Sequence, residues 1–531
     1  MRPGRRRAAI VLLGVLATLA GCGGGDAVSP PPPGGGTTPP AAGRPVLAQQ
    51  YRATGRGAAG DVMVHLFEWR WTDVARECEQ VLGPAGIAAV QVSPPQEHAI
   101  VAGQPWWQRY QPVAYSVERS RSGTGDEFRA MVGRCRAAGV GIVVDAVVNH
   151  MTAGAGTGSN GTAYTKYAYP GTWGPADFHA PPCGVSDYGN VANVQDCELL
   201  GLADLATGLP AVQQRLGDYL ASLARMGVAG FRIDAAKHMN AVQLDAIVTR
   251  MNAALAAENR PLPYVFHEVI DYGGEAVKAT DYLGVGFASG SASDITEFKV
   301  RGIGDKFNNR GTQRVGELAR FSRDEWGLLP SDKAVVFLEN HDTARDVGIA
   351  NPSYRDPWRW RLATIWLLGQ GYGYPSVLSG YAFDRTTQAG RDQGPPSDGA
   401  GTTLAVTCPA RLEDVGASGW VCEHRDPAVL AMVGFRRAVA GAPTVRPWDD
   451  GANGTAYSRG DRGFVVVNAN ATTLTATVPS ALAPGRYCDV LTGGRAGTGC
   501  AGSSLTVASD GAVAVSVPAR TAIAIHTGTR L

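Results

Sequence analysis

The sequence predicts a (β/α)8 TIM barrel, an α/β fold, with a small domain inserted after its third strand and a C-terminal antiparallel β-sandwich. Three observations predict it. From about residue 60 to 440, short apolar β-rich runs alternate with helix-length segments. Three of the runs, GFRIDAAKH (230–238), YVFHEVI (264–270) and VVFLENHDTAR (335–345), read as buried strands that stop at charged residues, as strands do at the carboxyl rim of such a barrel. After about residue 442 the composition changes to short period-two runs broken by turns.

The N-terminus comes first and is not part of the fold. A basic MRPGRRR, an apolar AAIVLLGVLATLA and Gly21-Cys22 form an export signal over 1–21, too short for a membrane span. Leu19-Ala20-Gly21-Cys22 resembles a bacterial lipoprotein box, which would leave Cys22 as a lipidated N-terminus and the chain's only membrane contact. Residues 22–47, rich in Gly and Pro, have nothing to bury and read as a tether.

The barrel is expected over 48–149 and 209–441. DVMVHLF (61–67) is strand one, and WTDVARECEQVLGPAG is a helix with a glycine stop. IAAVQVSP (87–94) is strand two, EFRAMVGRCRAAG its helix, and VGIVVDAVVNH (140–150) strand three. The next stretch is too long for a structureless loop, so 150–208 reads as the inserted domain, pinned by a Cys183–Cys197 bridge. LPAVQQRLGDYLASLARMG (209–227) is strongly amphipathic. VAGFRIDAA, YVFHEVI, ASDITEFKV (292–300), KAVVFLENHD and YPSVLSGY (374–381) supply strands four to eight. Between them lie MNAVQLDAIVTRMNAALAAE, the mixed segment GELARFSRDEWGLLP and WRWRLATIWLLGQG (358–371). Residues 382–429 are read as long loops over the active site, LAMVGFRRAVAG (430–441) as the closing helix, and 442–531 as the β domain.

Nine cysteines stand at 22, 78, 135, 183, 197, 408, 422, 488 and 500. Without Cys22 eight remain, none in CxxC spacing, which suits an oxidising compartment better than a metal or redox site. The expected pairs are 78–135, 183–197, 408–422 and 488–500, the last three close in sequence. A formal charge of +1 argues against a nucleic-acid partner. Eleven tryptophans in an exported neutral chain suit sugar stacking, although core packing is the commoner fate of any one of them.

The strand ends carry the chemistry. Arg232 and Asp234 are two apart in a strand and face one side, so the guanidinium would keep the carboxylate ionised and aimed. A buried Arg–Asp structural pair has the same pattern. Glu268 follows His267, where burial near other acids would suit a general acid. Asp342 follows His341, and strand three adds Asp145, Asn149 and His150. Each end alone could be a solvated loop cap. Four in register point to a nucleophile, a proton donor and a third acid for glycoside cleavage, with Lys237 and His238 placed to hydrogen-bond sugar hydroxyls.

At these residues the chain resembles the alpha-amylases of glycoside hydrolase family 13. The four short regions of that family appear as DAVVNH (145–150), GFRIDAAKH (230–238), HEV (267–269) and FLENHD (337–342). WWQRYQPVAY (106–115) and QDCELLGLADLATG (195–208) resemble the animal and actinobacterial members. The resemblance implies Asp234 as nucleophile, Glu268 as acid/base and Asp342 as transition-state stabiliser. It implies Arg232 as the residue orienting the nucleophile and His150 and His341 as flanking the sugar. It makes Trp106, Trp107 and Tyr110 aromatic platforms, and Gln111, Asp145, Lys237 and His238 cleft or supporting residues. It also implies a structural calcium held by Asn149, Asp204 and the backbone carbonyls of Gln195 and His238, all hard oxygen donors. Many such enzymes bind an activating chloride through two arginines and an asparagine. Arg232 and Asn340 match two positions, but the third falls near Ser376, so chloride is expected not to be required.

The implied activity is retaining endohydrolysis of alpha-1,4-glucosidic bonds in starch, glycogen and maltooligosaccharides by an exported monomer. The implied nucleophile and acid should then lie about 5 Å apart. A maltooligosaccharide-forming or transglycosylating relative is the enzymatic alternative. A glucan-binding surface lipoprotein is the non-enzymatic one, which predicts a missing nucleophile or acid, and both are present.

Overall fold

The computed structural model describes residues 62–285, 293–348 and 351–531. The export signal, Cys22, the tether and the first residue of the expected strand one lie outside the described residues. No helix among those described is long and apolar enough to cross a membrane.

Eight parallel strands close into a barrel. They are β1 (Met63–Leu66), β2 (Ala89–Val92), β3 (Gly141–Ala146), β4 (Gly230–Ile233), β5 (Tyr264–His267), β6 (Asp294–Thr296), β7 (Ala334–Val336) and β8 (Tyr374–Ser379). The ladders run in sequence order and β1 closes on β8. Met63, Ala89, Val143, Tyr264, Phe266 and Tyr374 fill part of the interior. The barrel is therefore a packed core with its polar residues gathered toward one end. Gly230 opens β4 because a Cβ there would lie 2.6 Å from the Tyr264 carbonyl oxygen.

The outer helices form where the apolar spacing and caps predict them. α1 (Trp71–Glu77) runs on through a π-type turn to Gly86, whose φ of 80° ends the helical run. α2 (Gly125–Ala137) starts at a Thr124–Glu127 capping box. α3 (Pro210–Arg225) and α4 (Ala241–Ala257) pack against each other, the latter capped by Asn240. α5 (Pro357–Gly369) and α6 (Pro427–Ala438) close the ring.

β6 and β7 are shorter than their sequence patterns suggest. Beyond Val336, FLENHD leaves the ladder because the Asn340 side chain accepts from the amides of Asp342 (3.1 Å) and Thr343 (2.8 Å), which turns the chain out at the rim.

The excursion between β3 and α3 holds a hairpin (Gly156–Thr157 with Ala163–Tyr164) and a helix, Val191–Asp196. Disulfides join Cys78 to Cys135, Cys183 to Cys197, Cys408 to Cys422 and Cys488 to Cys500, the four pairs expected. At the C-terminus two four-stranded antiparallel sheets enclose a core that includes Phe464, Val466, Tyr487, Val513 and Ile525. Alternate residues of their strands point inward, as the period-two pattern requires.

Candidate active site

The polar end of the barrel is built on Arg232. The register places Arg232 beside Asp145 across β4 and β3. Its Nη1 lies 2.6 Å from Asp145 Oδ1 and 2.5 Å from Asp234 Oδ1, and its Nη2 pairs with Glu268 Oε1. All four side chains are buried. Ala235, just past Asp234, takes a left-handed φ of 48°, and its N–H donates to Glu268 Oε2 at 3.0 Å. A non-glycine residue in that region stores about 1 kcal/mol or more of strain, which here aims an amide at the carboxylate.

This cluster carries more acid than base. Ionising all three carboxyls would leave two charges uncompensated by Arg232. Burial pushes Asp145 and Asp234 above the usual carboxylate range, and the other acids add to the push while Arg232 opposes it. Asp342 sits nearer the mouth, its side chain 35 % accessible, with Oδ2 3.2 Å from His341 Nε2. Its withdrawal from bulk water and the nearby Glu268 push it up to about 7, against the pull of Arg232 and Arg345.

Aromatic rings line the cleft. Tyr110 stacks on His341 (centroids 5.0 Å, planes at 13°), and its hydroxyl donates to Asp145 Oδ2 at 2.9 Å. Trp106 meets both rings edge-on, and its indole N–H donates to the Arg391 carbonyl. Trp107 is half-buried beside it. Gln111 Oε1 accepts from the Ala153 amide, and His150 Nε2 lies 3.0 Å from the Tyr110 carbonyl oxygen. Burial holds both His150 and His341 below the usual imidazole range, so both are neutral at pH 7. Lys237 Nζ donates to the Ile270 carbonyl oxygen, pairs with Glu275 and lies 4.7 Å from the Tyr188 ring centre.

Several of these neighbours carry no acid and were not singled out in the sequence. His65 and Gln91 lie opposite each other on β1 and β2, and Gln91 Nε2 reaches both His65 (3.3 Å) and Asp145 (3.4 Å). The signal was present: a lone polar residue at an inward position of an apolar strand. Tyr188 and Glu275 meet the site only through long-range folding and left no such mark, whereas Arg345 closes the run VVFLENHDTAR itself and bonds back to His341.

The expected metal ligands fall into two pairs. Antiparallel pairing of His150 with Asp204, and the Leu205 N–H donating to the Asn149 carbonyl oxygen, set Asn149 beside Asp204. The Val191–Asp196 helix packs on the turn Ala236–His238, and His238 Nδ1 lies 2.9 Å from the Val194 carbonyl oxygen, which brings Gln195 to His238. Asn149 Oδ1 and Asp204 Oδ1 are buried oxygens with no hydrogen-bond partner. Orphaned hard oxygens on two segments joined by one β-bridge fit a divalent cation such as calcium. Behind Arg232 lies a cavity of about 20 Å³ whose lining includes His65, Gln91, Asn340 and Ser376.

Comparison with known proteins bears on the fold and the family. A family model described as "Alpha amylase, catalytic domain" matches residues 86–298, and one described as "Alpha amylase, C-terminal all-beta domain" matches 448–528. The chain is 43 % identical to an alpha-amylase of Thermomonospora curvata over 473 residues, covering 88 % of this chain and 73 % of that one. It is 39 % identical to an alpha-amylase of Oryzias latipes over 473 residues, covering 85 % and 90 %. The chain belongs to the alpha-amylase family. Among solved structures, that of a mutant alpha-amylase I from Eisenia fetida in complex with maltohexaose superposes with a TM-score of 0.80 at 37 % identity, over 90 % of this chain and 99 % of that one. The family's catalytic model ends near β6, so the rim contributed by Asp342 and Ser376 lies beyond it, within the span of the relatives.

Proposed function

We propose that Asp234, Glu268 and Asp342 divide the work of retaining glycoside hydrolysis, in a chain that acts as an alpha-amylase on internal alpha-1,4-glucosidic bonds of starch, glycogen and maltooligosaccharides. The observation that carries this reading is the single buried guanidinium of Arg232 shared by Asp145, Asp234 and Glu268. Two carboxyls gripped by one planar fork stay close together. That favours the retaining separation of about 5–5.5 Å over the inverting one of about 6.5–9.5 Å.

A glucan lies across Trp106, Trp107 and Tyr110, with Gln111 and His150 beside it. Glu268 gives its proton to the glycosidic oxygen as an Asp234 oxygen attacks the anomeric carbon, and the bond to the leaving sugar breaks. A covalent glycosyl-Asp234 ester remains. Glu268, now a carboxylate, takes a proton from water. The hydroxide oxygen displaces Asp234 and releases an alpha-configured end, which restores both carboxyls. Arg232 holds Asp234 in line. Asp342 and His341 bind the ring hydroxyls more tightly as the ring flattens, which lowers the barrier. Lys237 and His238 hold the leaving-group side.

Asn149, Asp204 and the carbonyls of Gln195 and His238 hold a structural calcium, which fastens the inserted segment beside the cleft. Chloride is not required, because Ser376 brings no cation to Arg232. Four disulfides suit an exported enzyme. We read it as a monomer tethered through a lipid on Cys22.

The test is digestion of soluble starch and maltoheptaose with product profiling, beside D234N and E268Q. Each variant should lose roughly 10³-fold or more in kcat. Wild-type rates in both would overturn the assignment. A single dominant maltooligosaccharide or transfer products would move the enzyme to a neighbouring activity on the same site.

A further inference from the structure

Arg345 is buried and forms no ion pair among the described residues. A guanidinium withdrawn from water needs other partners. It finds them in four rings: its centre lies 4.3 Å from Phe383, 5.0 Å from Trp106, 5.1 Å from Phe67 and 5.3 Å from Tyr381. Its Nη1 donates to the His341 carbonyl oxygen at 2.7 Å, and its Nη2 to the Tyr381 hydroxyl at 2.9 Å. That hydroxyl donates onward to the Gln393 carbonyl oxygen at 2.7 Å. Phe67 in turn stacks on His341 (4.9 Å, 15°).

One side chain therefore touches the loop after β1, the Trp106 platform, the turn after β7 and the loop after β8. We propose that Arg345 is a positioning residue for the hydrolysis: it fixes the His341–Asp342 turn against the aromatic wall so that Asp342 meets the sugar ring in register with Asp234 and Glu268. The carbonyl it holds belongs to the peptide that joins His341 to Asp342, so a shift there moves the carboxylate directly. This rests on the reading of Asp342 as a catalytic carboxylate.

Charge gives a second readout. The charged and titratable groups facing Asp342 are Glu268 just past β5, Asp145 from β3, Arg232 from β4, Tyr110 from the platform after β2, Tyr272 from the loop after β5, and His341 and Arg345 from its own loop. Glu268 and Asp145 favour its protonated form, and the two arginines favour the carboxylate. Arg345 also faces the buried Glu339, which has Arg355, Arg385 and Glu423 as its other charged neighbours.

The test compares R345M, R345K and Y381F on maltoheptaose, with D342N as control. R345M should lower kcat by about 10²-fold, the cost of an ångström-scale misplacement, with KM moved much less, and should shift the acid limb of kcat/KM to higher pH. R345K keeps the charge and should leave that limb in place while recovering part of kcat. Y381F removes the Nη2 acceptor without touching the charge. It should lower kcat several-fold with an unmoved limb, and it decides the matter if R345M does not fold. Wild-type kcat in Y381F, or wild-type kcat and acid limb in a folded R345M, overturns the proposal. D342N at wild-type rate would instead overturn the reading of Asp342, whereas an inactive D342N beside a normal R345M overturns only the role of Arg345.

Discussion

Two ion clusters in this barrel differ in charge balance, one rich in acid and the other with its single acid matched by donors. At the carboxyl rim, Arg232 alone faces Asp145, Asp234 and Glu268. At the end of α1, Glu77 alone faces Arg425, whose Nε lies 2.7 Å from Oε1, and His424, whose Nε2 lies 2.8 Å from the same oxygen. In the first cluster Asp145 and Asp234 are pushed up. In the second, burial pushes Glu77 up but the hydrogen bonds from His424 and Arg425 outweigh it, bringing it down to about 2. A buried acid outnumbered by donors is a permanent anion and acts as a clamp. Buried acids that outnumber their cation are pushed toward the protonated form, as Asp145 and Asp234 are.

The sharpest way to break this contrast is to neutralise the clamp. E77Q leaves Arg425 and His424 without their anion and should destabilise the fold by about 3–5 kcal/mol in urea melts, while kcat per folded molecule stays near wild type. A variant of unchanged stability would show that the cluster is not a clamp.

Acid should find the same cluster. The folded-state pKa of Glu77 is depressed from 4.5 to about 2. Its stabilisation is therefore complete above about pH 4.5 and is lost as pH falls toward 2. The shift corresponds to about 3 kcal/mol, reduced somewhat because Arg425 is part-exposed. His424, held neutral by burial, loses stability in the same direction. Urea melts of wild type should weaken across that window, and those of E77Q should weaken less. Equal slopes would remove Glu77 from the account.

The rim should respond the other way. D145N removes one acid from a cluster with acid to spare, so thermal stability near pH 7 should hold or rise. It also removes the carboxylate that the Nη1 of Arg232 shares with Asp234 and that accepts from the Tyr110 hydroxyl, which should misplace Asp234 and lower kcat by about 10²-fold. If D145N melts as early as E77Q while retaining its rate, the functional and structural labels belong the other way round.

The sequence made these two clusters unequally visible. Asp234, Glu268 and Asp342 interrupt apolar runs, and a charge at the end of a buried strand is conspicuous by its misfit. The barrel was legible for a related reason, because eight apolar runs separated by amphipathic helices have few other ways to bury themselves. His65 and Gln91 are the same misfit without the charge, and the eye passes over neutral polar residues. Glu77 and His424 are 347 residues apart, and nothing local at either end foretells the contact. β6 shows the limit of pattern reading: ASDITEFKV supplies only Asp294–Thr296 to the ladder.

Another buried acid belongs to neither class. Asp204 has His179 Nδ1 at 2.6 Å on one oxygen and nothing on the other, beside the equally orphaned Asn149 Oδ1. If calcium supplies the missing cation, EDTA should lower the melting temperature, and calcium should restore it with a concentration dependence worth about 2.7 kcal/mol at a hundredfold excess over Kd. N149A should melt lower and lose that dependence. A melt indifferent to EDTA would leave Asp204 as a second, histidine-paired clamp.

The smallest effect concerns chloride. An anion behind Arg232 would enter a cluster that is already rich in acid. Such an anion needs a second cation to be stable, and Ser376, which lines the cavity behind Arg232 from β8 opposite Met63 of β1, brings none. Arg232 itself has both terminal nitrogens engaged by carboxylates. Turnover of maltoheptaose should therefore change by less than about twofold, roughly 0.4 kcal/mol, between chloride-free buffer and buffer saturated with chloride. A larger activation would mean that Asn340 and Arg232 bind an anion without help. The rim would then be less acid-rich in its working state than its side chains make it, and its contrast with the Glu77 clamp would narrow.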